Sequence, residues 1–232
     1  MFFLGSAYPT GKLGVNASVP PILFGALRMA IVFICLIPFC KIGFPNKKYI
    51  FPLLAFSFSM GVGVNLFLYL SINASSIMSP LVIGAQLSIP IAIILSSVFI
   101  GESINYKKWV LIITSFLGIV LIGFDPKIAG EILGFLLICA MAFFYAASQV
   151  FSRYLKELDV KFTNATMGFI ASITLFIASI VFEGNTIFYL EKLNLEAWLM
   201  VLHAGIFCSL FGHMSMFYLY KFYSVGQVLP FY

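Results

Sequence analysis

Charge is what this chain has least of. Of its 232 residues only 9% are Asp, Glu, Lys or Arg, against about 25% in soluble domains. A soluble globule needs polar residues to cover its surface, and they are missing here. The same scarcity excludes disordered, collagen-like and nucleic-acid-binding classes. Acids are rarer still: there are eight, and none lies well inside an apolar run. A carboxylate proton relay at membrane depth therefore has no residues to use. Cys35, Cys40, Cys139 and Cys208 all lie in apolar runs without CxxC or Cys/His spacing, so no disulfide framework or zinc site is expected. GxSxG and HExxH are absent as well, which removes two common catalytic signatures. His203 and His213 are ten residues apart, about 80° off a common helix face at 100° per residue. A two-His metal site is not expected, and neither is any other metal or cofactor.

What the chain does have is apolar bulk. Apolar residues make up 62% of it and aromatics 17%; the mean hydropathy is +1.09. A membrane-spanning helix takes about 20 residues. Charge-poor runs near that length occur at 1–14, 20–40, 50–70, 77–100, 108–124, 131–152, 162–182 and 197–220, and a ninth opens near Val225. No ten-residue alternating segments suggest a β-barrel. The expected fold is all-α, a polytopic bundle of membrane helices with eight spans and the start of a ninth.

The connections between runs are short, so basic residues should mark the cytoplasmic side. Alternate connections hold Lys41, Lys47, Lys48, Lys107, Lys108, Arg153, Lys156, Lys161 and Lys221. The opposite set holds only Lys127 and Lys192, with the acids Asp125, Glu131, Glu183, Glu191 and Glu196. The expectation is an integral protein of a bacterial-type inner (plasma) membrane with a cytoplasmic N-terminus. Its surroundings would be the lipid bilayer and a small-molecule substrate; no nucleic-acid partner is expected. No connection is long enough for a soluble domain, so function must lie in the membrane.

The first run has an echo in the sixth. Leu4-Gly5-Ser6-Ala7-Tyr8-Pro9-Thr10-Gly11-Lys12 precedes Tyr145-Ala146-Ala147-Ser148-Gln149-Val150-Phe151-Ser152-Arg153 by 141 residues. Both are aromatic, small-residue stretches that close on a base. Five spans precede the restart, and five is odd, so the second copy would lie inverted. Inverted repeats are a transporter signature, because two opposed halves can expose one midplane site to either side.

These residues resemble the drug/metabolite transporter superfamily, in particular its EamA-type members. Gly5-Ser6 with Lys12 is similar to the family's first-span motif, with Leu4 where a Trp is usual. Pro20-Pro21 followed by Ala26-Leu27-Arg28 resembles its second-span opening. Ser79-Pro80, Pro90 and Gly101-Glu102-Ser103 resemble the pattern that closes on Gly-Glu. The resemblance implies two inverted five-helix repeats, here 1–124 and 130–232, the second incomplete. It also implies about 50–60 further residues beyond Tyr232, two spans with a Gly-Glu turn between them. It implies a substrate path lined by spans one, three, four, six, eight and nine.

Polar residues at membrane depth should face protein or water. Asn65 and Tyr69 are i, i+4 on the third span, as are Tyr145 and Gln149 on the sixth, so each pair shares a face. Gln86 lies in the fourth span near Pro90, Tyr8 in the first, and His213 in the polar stretch Gly212-His213-Met214-Ser215. Lys12 either snorkels to the interface or attracts anionic groups at a cavity mouth. Arg28, about 12 Å into the second span at 1.5 Å per residue, bridges helices or contacts substrate. The candidate substrate-binding set is Tyr8, Lys12, Asn65, Tyr69, Gln86, Tyr145, Gln149 and His213. The bland reading of the same residues is interhelical packing glue.

The sequence thus reads as a permease or exporter of small polar metabolites such as amino acids, working by alternating access and not an enzyme. The rivals are a membrane sensor or structural subunit, and an intramembrane enzyme built on Ser209 and His213, which are i, i+4.

Overall fold

The computed structural model describes residues 5–17, 19–40, 43, 45–101, 103–123, 130–223 and 225–228. Leu4, Lys41, Glu102, Asp125 and Lys127 of the motif and charge patterns lie outside the described residues, as do 229–232. Among the described residues all regular structure is helical. The helices are α1 Ala7–Asn16, α2 Pro21–Leu36, α3 Lys47–Ala74, α4 Ser79–Ile100, α5 Tyr106–Gly123, α6 Ile132–Tyr154, α7 Val160–Phe182, α8 Thr186–Glu191, α9 Leu195–Leu219 and α10 Val225–Val228.

Six of them are long and apolar enough to cross a membrane: α2 with its 3₁₀ extension to Phe39, α3, α4, α6, α7 and α9. The other two expected spans are shorter, α1 at 10 residues and α5 at 18. Of the first run, 1–4 is undescribed. Helix α7 shows why these helices belong in lipid. Its inner face buries Asn164, Gly168, Ala171, Leu175 and Ser179, while Phe169, Ile173, Ile177 and Ile180 point outward. A helix apolar on both faces suits hydrocarbon, not water.

Three helices depart from the single straight runs read off the sequence. Helix α3 is 28 residues long and is wound as a π-helix over Ser57–Gly63. Helix α9 is π-wound over Ala204–His213. In both, wide turns release carbonyls that side chains then take up. Helix α4 breaks at Gln86–Leu87, four residues before Pro90. Pro90 has no N–H to offer the Gln86 carbonyl, which accepts from the Ile89 N–H at 3.0 Å instead. Helix α4 ends on Gly101, whose φ of +78° only glycine adopts without strain.

Two pairs of neighbouring helices, α3 with α6 and α2 with α7, pack antiparallel. Along α3 and α6, Phe51 meets Phe151, Met60 meets Ser148, and Gly63 meets Phe144. Gly134 lies against Ser75, so the start of α6 sits beside the end of α3. Along α2 and α7, Ile22 and Leu23 meet Glu183, Phe33 meets Phe169, and Phe39 meets Lys161. One end of the bundle therefore collects Lys47, Lys48, Arg153, Lys156, Lys161 and Lys221. The other collects Glu131, Glu183, Glu191 and Glu196, with Lys12 and Lys192.

Two of those acids have structural work that spacing did not reveal. Pro20-Pro21 starts α2, and the orphan N–H groups of Ile22 and Leu23 donate to the Glu183 carboxylate at 2.6 and 3.0 Å. The carboxylate just past the end of α7 thus caps α2. Glu183→Ala leaves both donors without it and should cost about 1–3 kcal/mol. A lowered thermal midpoint for Glu183→Ala, with Glu183→Gln falling between it and the parent, is the expected result; equal midpoints would refute the cap.

Glu131 accepts from the Ser76 hydroxyl and N–H across the α3–α4 turn. The Ser76 hydroxyl bond, and after it the backbone bond, holds this carboxyl below its ordinary value. A depressed folded pKa gives stability that is present above the unfolded value and fades as pH falls through the folded one. The midpoint difference between the parent and Glu131→Gln should therefore be constant near neutrality and shrink only in the acid range. A difference that grew on acidification would contradict the assignment.

Candidate functional site

The polar side chains at depth form a closely packed layer between α2, α3, α6 and α9. Arg28, 3% exposed, is its centre. Its Nε donates to Ser209 Oγ at 2.9 Å and its Nη1 donates to Tyr69 Oη at 3.0 Å. One guanidinium thus joins α2 to α3 and α9. Tyr69 packs on Phe24, ring centroids 4.7 Å apart. Asn65 lies one turn before Tyr69 on the face toward Gly25. Its Nδ2 donates to the carbonyls of Met60 at 3.2 Å and Gly61 at 2.8 Å, released by the π turns.

Helix α9 repeats this device. His213 Nδ1 lies 2.8 Å from the Cys208 carbonyl. A carbonyl only accepts, so Nδ1 carries a proton in this contact. The ring stands edge-on to Tyr145, centroids 6.0 Å apart. Tyr145 Oη donates toward Met216 Sδ at 3.4 Å. The spacings correspond: from Met60 and Asn65 to Cys208 and His213 is 148 residues in each case. Both pairs lie in or beside the π-wound segments of α3 and α9.

Gln149 follows Tyr145 by four residues and precedes Ser152 by three, so all three share a face of α6. It is 0% exposed. Neither its amide oxygen nor its amide nitrogen has a hydrogen-bond partner among the described residues, and the same holds for Asn65 Oδ1. Below it, Ser152, Thr163, Asn164, Lys156 and Lys221 line a cavity of about 20 Å³, room for one water.

The structure thus gathers Asn65, Tyr69, Tyr145, Gln149 and His213 of the predicted set on helices that meet in this layer. The other three lie apart from it. Tyr8 is half-buried on α1, packed against the apolar core. Gln86 is exposed at the break in α4. Lys12 sits at the acidic end, its Nζ donating to the carbonyls of Ile72 at 3.2 Å and Ser75 at 2.6 Å.

Sequence reasoning weighed Arg28 but left it out of the set, and it named Ser209 only as half of a catalytic dyad. Ser209 Oγ donates to the Ala204 carbonyl at 3.2 Å and accepts from Arg28. The Ser209 hydroxyl proton is thus given to the Ala204 carbonyl and not to His213. A polar chain from α1 was missed as well. Thr10 Oγ1 donates to the Ser6 carbonyl at 2.6 Å, so it accepts from His203 Nδ1 at 3.3 Å. Cys208 lies 3.7 Å from Ser6 Oγ and 4.0 Å from His203. Its signal was a run of small polar residues on a short apolar helix. Among the described residues no three His, Cys, Asp or Glu converge as a metal site would need.

Comparison with known proteins agrees with the all-helical fold. The sequence model described as the EamA-like transporter family matches residues 1–124 and 132–232. A solved structure titled only "Crystal structure of protein" is similar at a TM-score of 0.68 and 18% identity, covering 98% of this chain and 81% of that one. At that identity the likeness speaks for fold alone. No curated protein matches the chain.

Proposed function

This chain belongs to the EamA-like transporter family, and on that premise we propose that it is a permease for small polar metabolites such as amino acids. The observation that carries the substrate class is Gln149. A fully buried amide without hydrogen bonds costs about 1–3 kcal/mol. Such a group is retained where a polar solute supplies the missing bonds during part of the cycle. Asn65 Oδ1 is in the same condition, and Tyr145, Tyr69 and His213 border them. The contacts on offer are amide, hydroxyl and imidazole groups beside the Arg28 cation, and they suit a solute with several hydrogen-bonding groups.

The mechanism we infer is alternating access between two inverted repeats, 1–124 and 130–232, in an eight-span membrane bundle. Three correspondences support it. Helices α1, α2 and α3 run opposite to α6, α7 and α9. The start of α2 lies 160−21=139 residues before that of α7, and the start of α3 lies 195−47=148 before that of α9. The nine added residues fall where α8 is inserted. The π-wound segments of α3 and α9 also coincide at the larger offset. Charge segregation between the ends favours a cytoplasmic N-terminus in a bacterial-type inner membrane. Uptake or counterflow of a labelled metabolite panel into proteoliposomes tests the reading. Flux above empty vesicles is expected; a folded protein that moves nothing across the panel would overturn it.

A further inference from the structure

Two basic residues make the same unusual contact at opposite ends of the bundle. Lys12, near the end of α1, donates to the carbonyls of Ile72 and Ser75 at 3.2 and 2.6 Å, where α3 ends. Arg153, near the end of α6, donates through Nη1 to the carbonyls of Tyr220 and Tyr223 at 2.7 and 2.9 Å, where α9 ends. In each case one cation spans two carbonyls three residues apart. The bases are 153−12=141 residues apart, and both carbonyl pairs are 148 apart, 220−72 and 223−75. These are offsets of the two halves themselves, so the contacts occupy equivalent places.

The last carbonyls of a helix have no partner within it and carry the negative end of its dipole. A cation placed there makes a charge-assisted bond stronger than a neutral one. Both α3 and α9 carry a π-wound segment in mid-course, where the turns are less regular and bending is easier. Each base therefore pins the far end of a bendable helix to the first helix of its own half. At Lys12's end the same corner is tied again by Glu131, just before α6, which holds the Ser76 N–H. At the other end Lys221 Nζ donates to the Leu158 carbonyl at 2.6 Å.

We propose that Lys12 and Arg153 are paired latches, each holding one end of the substrate path shut and released in alternation. This rests on the transport reading above. It makes them positioning residues that act through α3 and α9 and need not touch the substrate.

The test uses the whole chain in membrane vesicles, with Cys35, Cys40, Cys139 and Cys208 replaced by Ala and Gln149→Cys as a buried reporter. A membrane-impermeant maleimide is applied to right-side-out and to inside-out vesicles. Lys12→Met should raise the labelling rate about tenfold from the face nearest Lys12, and Arg153→Met by a similar factor from the opposite face. Lys12→Arg and Arg153→Lys, which keep a charged donor, should label like the parent. If either Met variant fails to fold, Lys12→Gln and Arg153→Gln keep one neutral donor and should show the same faces with smaller factors. Labelling that rises from one face in both variants, rises equally from both faces, or does not change overturns the latches. The assay needs no substrate. Flux is measured separately on chains that keep Gln149: unchanged labelling alongside flux by the parent would sink this proposal alone, and face-specific labelling with no flux of any metabolite by the parent would sink the transport reading alone.

Discussion

Gln149→Leu should make the protein more stable and at least about tenfold slower in flux, a tenfold change being 1.4 kcal/mol. The two effects have one cause. In the structure described here the side-chain amide lies at zero exposure with neither polar atom bonded among the described residues. Leu has similar bulk and no polar atoms, so the change removes the desolvation penalty without opening a void. The gain is about 1–3 kcal/mol, or roughly 2–4 °C in midpoint per kcal/mol at this chain length.

Activity should move the other way. A solute that satisfies the amide loses two partners, and a polar solute meeting Leu must shed hydrogen bonds it cannot recover. Gln149→Asn keeps the amide but shortens its reach, so its flux should lie between those of Leu and the parent. Thermal unfolding in detergent and flux in liposomes, measured on the same preparation, decide the matter. If Gln149→Leu lowered the midpoint and left flux intact, the amide would be packing glue and the site would lie elsewhere.

What the sequence could reveal of this was local. Apolar run length located the main helices, and i, i+4 spacing put Asn65 with Tyr69 and Tyr145 with Gln149, because both signals live within one helix. The contacts that define the layer are not local. Arg28 reaches Tyr69 across 41 residues and Ser209 across 181, and no spacing rule encodes such pairs. Glu183 and Arg153 were legible as markers of sidedness, while their work as helix caps needed the partner helix in view. The break in α4 was within reach: Pro90 strands the carbonyl four residues back, at Gln86, and that places the break better than the proline's own position does. Gln86, read as a lining residue for its polarity, is exposed at that break. The 28-residue length of α3 was not within reach, since π turns leave no compositional mark.

Glycine makes the same point with the larger energy. Small residues let membrane helices approach closely. Gly61 and Gly63 do meet α7 and α6, through Ala171 and Phe144, but a Cβ on Gly118 would have nothing within 4 Å. The surroundings of Gly123 lie outside the described side chains. Approach to the backbone of a neighbouring helix is closest at Gly168 on α7. A Cβ there would sit 3.0 Å from the Met29 carbonyl oxygen, 3.0 Å from the Phe33 nitrogen and 3.3 Å from the Phe33 Cα. All three belong to the backbone of α2, so no rotamer change relieves the clash and the helices must separate. Separation would also strain the Glu183 cap and the Phe33–Phe169 contact along the same seam. Gly168→Ala should cost about 1–3 kcal/mol, and Gly168→Leu more, to the point of lost folding. Gly118→Ala, open on every side and freed of glycine's helix penalty, should gain up to about 1 kcal/mol. Size-exclusion profiles and thermal midpoints of the three variants test the ranking, and a Gly168→Leu protein as stable as the parent would mean that α2 and α7 do not pack backbone to backbone.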